Sequence, residues 1–241
     1  MSLLLCLAVS VMAQERTVQN RPYCDLRPLH FGVVVGTNMQ DMKMLVNGPQ
    51  QFVEEDGTVT MNDITCDQDR WDNGFQVGVL AEFRLDTHFA FRIAPQMYFG
   101  NRHILFRNFS QLGPDNRPAE ARQDMKTSYV MCSLDLIYAA QRFNNHRPYL
   151  MAGISPAINL STKENDYLQL NRSDVFFEAG LGCDFYLPFF KLRPELKFMY
   201  SLGNSLNKKH VDNLRDPNMI RYAQSVNSAN SRMIALTFYF E

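Results

Sequence analysis

Ten charged residues fall on the polar phase of otherwise apolar, alternating stretches: Glu82, Arg84, Arg92, Asp135, Glu178, Asp184, Lys191, Arg193, Glu195 and Lys197. Five are acidic and five basic. Balanced charges on one face of a wall can line a narrow aqueous conduit. They can also lock into a plug of salt bridges, because charges removed from water must be paired. Covalent catalysis would need a different set, a nucleophile beside a histidine and a carboxylate. The histidines are His30, His88, His103, His146 and His210, and no GxSxG elbow accompanies them. Only His103 and His210 fall in long polar segments where an Asp or Ser could meet them. There is no HExxH motif, no Cys/His cluster and no EF-hand spacing to hold a metal. The acidic residues Glu54, Glu55, Asp56, Asp63, Asp67, Asp69 and Asp72 read as a solvated loop rather than a calcium site. Cys24, Cys66, Cys132 and Cys183 show no CxxC spacing, so free, apolar-behaving thiols are expected. The reading is of no catalytic residue, no cofactor and no metal ligand.

The ten charges need a wall to hold them. In Phe75–Leu85, the series Phe75, Val77, Val79, Ala81, Phe83 and Leu85 alternates with Gln76, Gly78, Leu80, Glu82 and Arg84. That period of two is a β-strand with one greasy face. The pattern recurs at 29–40, 89–99, 128–138, 148–160, 175–186, 190–202 and 233–240. Eight strands of roughly 11 residues are longer than soluble strands usually are and suit a bilayer crossing. Connections alternate between short (86–88, 140–147, 187–189) and long (41–73, 101–126, 161–173, 203–229). An even strand count with short turns at one end and long loops at the other predicts an all-β fold. The architecture expected is an eight-stranded antiparallel up-and-down transmembrane β-barrel of the outer-membrane type. Four long extracellular loops, short periplasmic turns and two periplasmic termini follow from it.

The polar face also carries Gly32, Gly36, Gly78, Gly153, Gly180 and Gly182. Glycine weakens a strand but fits tight space, and the inside of an eight-stranded barrel is barely wide enough for its side chains. The polar face is therefore expected inside and the greasy face in lipid, with the charges plugging the lumen. Arg232 alone breaks the greasy phase, at the outer end of the last strand, where it can snorkel. Pro95, Pro156 and Pro194 lie within strands, where β-bulges are expected to accommodate them.

At 241 residues, with a net charge of −1 and a mean hydropathy of −0.26, the chain offers no basic surface for nucleic acid. Leu3–Ala13 reads as the apolar region and cleavage site of a signal peptide. Its missing basic start implies that translation begins upstream. The expected organisation is a signal peptide at 1–13, a periplasmic segment at 14–28 and the barrel at 29–241.

Arg21–Gly32, in "NRPYCDLRPLHFGVVVGTNMQDMK", resembles the start of the PorT family, outer-membrane barrels associated with type IX secretion. "LRPELKFMY" (192–200) and the terminal "LTFYF" are similar to the wider class of small outer-membrane barrels. The resemblance implies a non-enzymatic accessory role in type IX export, with other secretion components and outer-membrane lipid as partners. It implies no small-molecule substrate. Arg21, Pro22, Tyr23, Asp25, Arg27, Pro28 and His30 form the candidate partner motif, a stiff two-proline segment. The segment either seats on the barrel mouth or a partner, or merely orders the first strand. The rival expectation is a stand-alone barrel serving as a small-solute channel or surface adhesin.

Overall fold

The computed structural model describes residues 19–53, 57–112, 116–161 and 166–241. The expected signal peptide, Leu3–Ala13, lies outside them, as do Glu54, Glu55 and Asp56 of the acidic loop.

Among the described residues the strands are β1 (Leu29–Val46), β2 (Gln50–Val53), β3 (Val59–Asn62), β4 (Ile64–Gln68), β5 (Asp72–Arg84) and β6 (Phe89–Leu112). They continue as β7 (Pro118–Ala139), β8 (His146–Asn159), β9 (Ser173–Tyr186), β10 (Lys191–Ser201) and β11 (Val226–Phe240), with one helix, α1 (Pro217–Gln224). Eight of them close a ring in the order β6–β5–β1–β11–β10–β9–β8–β7, and β7 pairs back onto β6. Every pairing is antiparallel. β4 takes the edge of β6 above the last β5 pair, from Gln68↔Ile104 to Ile64↔Asn108. β2 and β3 form a separate small hairpin.

Alternation decides which face is inside. Phe31 and Phe75 are 68% and 55% exposed, whereas Arg92, Glu178 and Lys197 are 0% exposed. A water-soluble barrel would reverse that arrangement, so the greasy face meets lipid. No described helix is long and apolar enough to cross a membrane, which leaves the strands to do so.

The prolines do not need bulges. Pro95 pairs with Cys132, Pro156 with Val175 and Pro194 with Phe238, each in unbroken register. On the other side the ladder drops two successive pairs and resumes in the same register: Gly78↔Gln96 to Ala81↔Ile93, Met131↔Ala157 to Leu134↔Ile154, and Leu192↔Phe185 to Glu195↔Gly182. Among the described ring pairings the register shifts lie elsewhere, at Leu45/Val46 and Asn108/Leu112. A proline lacks a single N–H, which in an antiparallel ladder would have served one neighbour only. One bond is lost and the pleat continues.

The strands also outrun the expected lengths. Much of the expected loop 101–126 is ladder, in unbroken register as far as Asn108↔Ala119. The expected loop 41–73 contains the end of β1 and all of β2, β3 and β4, while β11 begins at Val226 rather than 233. Above the greasy band the polarity of the two faces exchanges. On β1, Asp41 and Lys43 turn outward while Met42 is buried inside; on β7, Arg122, Asp124 and Lys126 turn outward and Met125 inward. Met42, Ile64, Cys66, Ile104, Phe106, Met125, Leu168, Leu206 and Val226 then form an apolar core that closes the long-loop end. Lipid below and water above account for the exchange, because an outward side chain must suit whichever solvent surrounds it.

Candidate functional site

The lower half of the lumen is a network of ions and tyrosines. Arg92 sends Nη1 to Glu195 Oε2 at 2.8 Å and Nε to Glu82 Oε2 at 3.3 Å, with Asp135 Oδ2 at 3.9 Å. Its guanidinium lies 4.3 Å from the Tyr239 ring centroid. The Tyr149 and Tyr239 hydroxyls donate to the two oxygens of Glu195 at 2.9 and 2.8 Å. Arg193 joins Glu82 at 2.5 Å, Asp184 at 2.6 Å and Glu241 at 2.6 Å. Lys191 also pairs with Glu241, and His30 Nδ1 lies 3.6 Å from it. Lys197 reaches Glu178 at 3.1 Å, with Asp135 and Glu195 each at 3.8 Å. Gly153 pairs with both Asp135 and Glu178, and its missing side chain leaves room for the Asp135 carboxylate.

Nine of the ten expected lumen charges thus converge: Glu82, Arg92, Asp135, Glu178, Asp184, Lys191, Arg193, Glu195 and Lys197. Arg84 does not. It is half-buried at the short-turn rim, where Nε donates to the Asp86 carbonyl at 3.3 Å. Its position at the last residue of β5 carries it past the end of the packed lumen. The sequence reading missed Tyr149, Tyr239 and Glu241 as partners, although the tyrosines stand on the inward phase. It also put Arg102 in the expected long connection 101–126. Arg102 is fully buried in the upper lumen, bonded to Ser231 Oγ at 2.9 Å and Gln40 Oε1 at 3.3 Å.

The short-turn mouth is covered by the segment before β1. A 3₁₀ turn, Cys24–Leu26, follows Tyr23, whose backbone is left-handed at φ 68°. Arg142 holds the segment: its guanidinium donates to the carbonyls of Asn20 at 2.5 Å and Arg21 at 3.4 Å, and stacks 3.6 Å from the Tyr186 ring centroid. Asp25 accepts from the Tyr186 hydroxyl at 2.7 Å and lies 3.7 and 3.9 Å from Arg142 and Arg147. Asn20 bonds Asn145 and the Tyr186 carbonyl, and Arg21 Nη1 donates to the Glu241 carbonyl at 2.9 Å. Of the candidate partner motif, Arg21, Asp25 and His30 face the barrel, while Pro22, Tyr23, Arg27 and Pro28 are exposed. Arg142, Asn145 and Tyr186 carried no sequence signal, since two lie in a short turn and the third ends a strand. Burial, and then the Asp25 carboxylate, push the Cys24 thiol above its ordinary pKa, which makes it a poor nucleophile.

Removing the clamp tests this arrangement. Arg142→Ala is expected to expose the 20–27 backbone to local opening and speed chymotryptic cleavage after Tyr23 about ten-fold. The heat-modifiable gel migration of the folded barrel should not change. Cleavage at the wild-type rate would mean that Arg142 holds nothing in place.

Among the described residues, neither His103, within β6, nor His210 bonds a serine. His103 Nδ1 lies 2.6 Å from Asp72 Oδ1, and its Nε2 lies 3.6 Å from Asp124. His210 Nε2 lies 2.7 Å from the Asp166 carbonyl. All four described cysteines are unpaired. No group of three or more His, Cys, Asp or Glu side chains among the described residues could hold a metal ion.

A family model described as outer membrane protein beta-barrel domain matches residues 12–207. Solved structures similar to this chain include OprG from Pseudomonas aeruginosa, at 13% identity and a TM-score of 0.47, covering 87% of this chain and 93% of that one. Neisserial surface protein A is similar at 12% identity and a TM-score of 0.42, covering 88% and 98%. Ail of Yersinia pestis, crystallised with the heparin analogue sucrose octasulfate, is similar at 11% identity and a TM-score of 0.38, covering 87% and 96%. No curated protein matches the chain.

Proposed function

This chain belongs to the outer membrane protein beta-barrel domain family, and we propose that it is a non-enzymatic accessory component of type IX protein secretion. In this reading both termini and the short turns are periplasmic and the long loops extracellular. The barrel is not the conduit for cargo, because its lumen is filled by the Arg92 and Arg193 networks and closed above by an apolar core. Its contacts are outer-membrane lipid and other secretion components, with no nucleic acid, cofactor or small-molecule substrate.

The clamped segment is the observation that carries the proposal. The run that resembles the PorT family, Arg21–Gly32, is the one fixed across the mouth by Arg142, Asn145 and Tyr186. A mere tether for β1 would not need that set of contacts, nor leave Tyr23 at 78% and Leu26 at 59% exposed on the far side. Tyr23 is held in a left-handed backbone uncommon for a residue with a side chain, and such conformations collect at functional sites. Fixing an aromatic and an aliphatic side chain in advance lowers the entropy lost when a partner docks.

Deletion of the gene in the native host should trap type IX cargo in the periplasm. Re-expression of the wild type should restore export, and a Tyr23→Ala/Leu26→Ala double variant present at normal level in the membrane should restore less than a tenth of it. Normal export in the deletion strain would remove the secretion role. The channel rival predicts unitary conductance of the purified barrel in planar bilayers, where this proposal expects none.

A further inference from the structure

Arg232 ends the outward greasy series of β11, next in line after Phe240, Phe238, Leu236 and Ile234. Its register partners are Asp41 on β1 and Tyr200 on β10. No ion pair joins it to Asp41, and its Nε is buried without a hydrogen-bond partner. Beneath it, on the outer wall, runs a groove of about 290 Å³ lined by Trp71, Phe177, Phe198, Tyr200, Arg232 and Ile234. The groove is almost wholly apolar and opens toward lipid, with the guanidinium at its upper end. Asp41 is the carboxylate in register there, and Lys43, exposed two residues further along the same face, offsets it.

We propose that this groove binds lipid A of the outer leaflet, an acylated and phosphorylated sugar. A phosphate rests on Arg232, and one acyl chain lies along the Trp71–Phe198 wall. The planar guanidinium matches two phosphate oxygens at once, which a lysine does not. An arginine on the lipid face is tolerated near the interface, where an anion can meet it, far better than at the midplane. The aromatic side chains flanking it belong at the same depth. The assignment rests on the orientation proposed above, because only the outer leaflet carries lipid A.

Trp71 is the chain's single tryptophan, so its emission reports on the groove alone. Diphosphoryl lipid A titrated into phosphatidylcholine vesicles holding the folded full chain should shift that emission to the blue and saturate. Arg232→Gln should raise the half-saturating lipid A fraction about ten-fold, and Arg232→Lys about three-fold. An unshifted emission, or a titration unaltered in Arg232→Gln, would overturn the proposal. An equal response to phosphatidylglycerol would also overturn it, since the site would then read any anionic lipid. Symmetric vesicles present lipid A in both leaflets, so an inverted barrel cannot cause failure here. Orientation is read separately, by labelling a Lys209→Cys variant on intact cells with an impermeant maleimide.

Discussion

An Arg193→Met barrel is expected to lose about 3–5 kcal/mol of stability, the range seen when one member of a buried ion network is removed. Arg193 is 1% exposed and touches three carboxylates, those of Glu82, Asp184 and Glu241. Methionine fills similar volume but leaves those anions facing each other without their shared cation, with Lys191 and Arg92 as the remaining neighbours. The loss is one of uncompensated charge rather than of packing. Urea unfolding in phosphatidylcholine vesicles, followed by Trp71 emission, measures it. Adding Glu82→Gln to Arg193→Met should recover a good part of the deficit by removing one stranded anion. Arg84→Met, at the half-exposed rim, should cost less than about 1 kcal/mol. Equal losses for the two arginines would mean that the network contributes nothing beyond ordinary surface pairing.

Gly153→Val should be as damaging by a different route. A Cβ at Gly153 would collide with the Leu134 carbonyl of the neighbouring strand, and would lie 2.5 Å from Asp135 Oδ1 and 2.9 Å from Asp135 Cα. Backbone cannot yield there without shifting the β7–β8 register, and the carboxylate has little room to move against Lys197. Overpacking of this kind costs about 1–3 kcal/mol or more, so valine should exceed about 3 kcal/mol and alanine fall within the range. Ala152→Val, one residue away on the lipid face, is the control and should be close to neutral. The ratio of folded to unfolded bands on unheated gels after refolding separates the three.

Period-two alternation carried the ring, its strand number and the direction of its greasy face, because lipid on one side and a tight lumen on the other select opposite residue types at each step. Glycine at 78, 153, 180 and 182 on the polar phase was the second signal, and close backbone approach at each of them accounts for it. The upper strands escaped notice for a physical reason. Met42, Phe106 and Met125 are apolar residues on the same inward phase that carries charge lower down, so a single rule for polarity ended each strand at the membrane boundary. Arg102 was misplaced by the same rule. Bulges at the prolines were expected from the loss of ladder bonds, yet each proline forfeits only one. The clamp on the mouth depends on Arg142 and Asn145 from one short turn meeting Asn20 and Asp25, a convergence made by ring closure and invisible in local sequence.

The pairing of β1 with β11 has a consequence for how the molecule is made. Val33 lies against Phe240, and the register runs on to Val46↔Val226, so the first and last strands of the ring share its longest-range contacts. Contacts between distant residues form late, because the whole intervening chain must be ordered first. Until β11 arrives, β1 presents an open edge with Phe31, Val33 and Val35 beside it, ready to pair with another chain. Assembly is therefore a race between ring closure and misjoining, and whatever delivers this chain to its membrane must shelter β1 through nearly the whole of that interval.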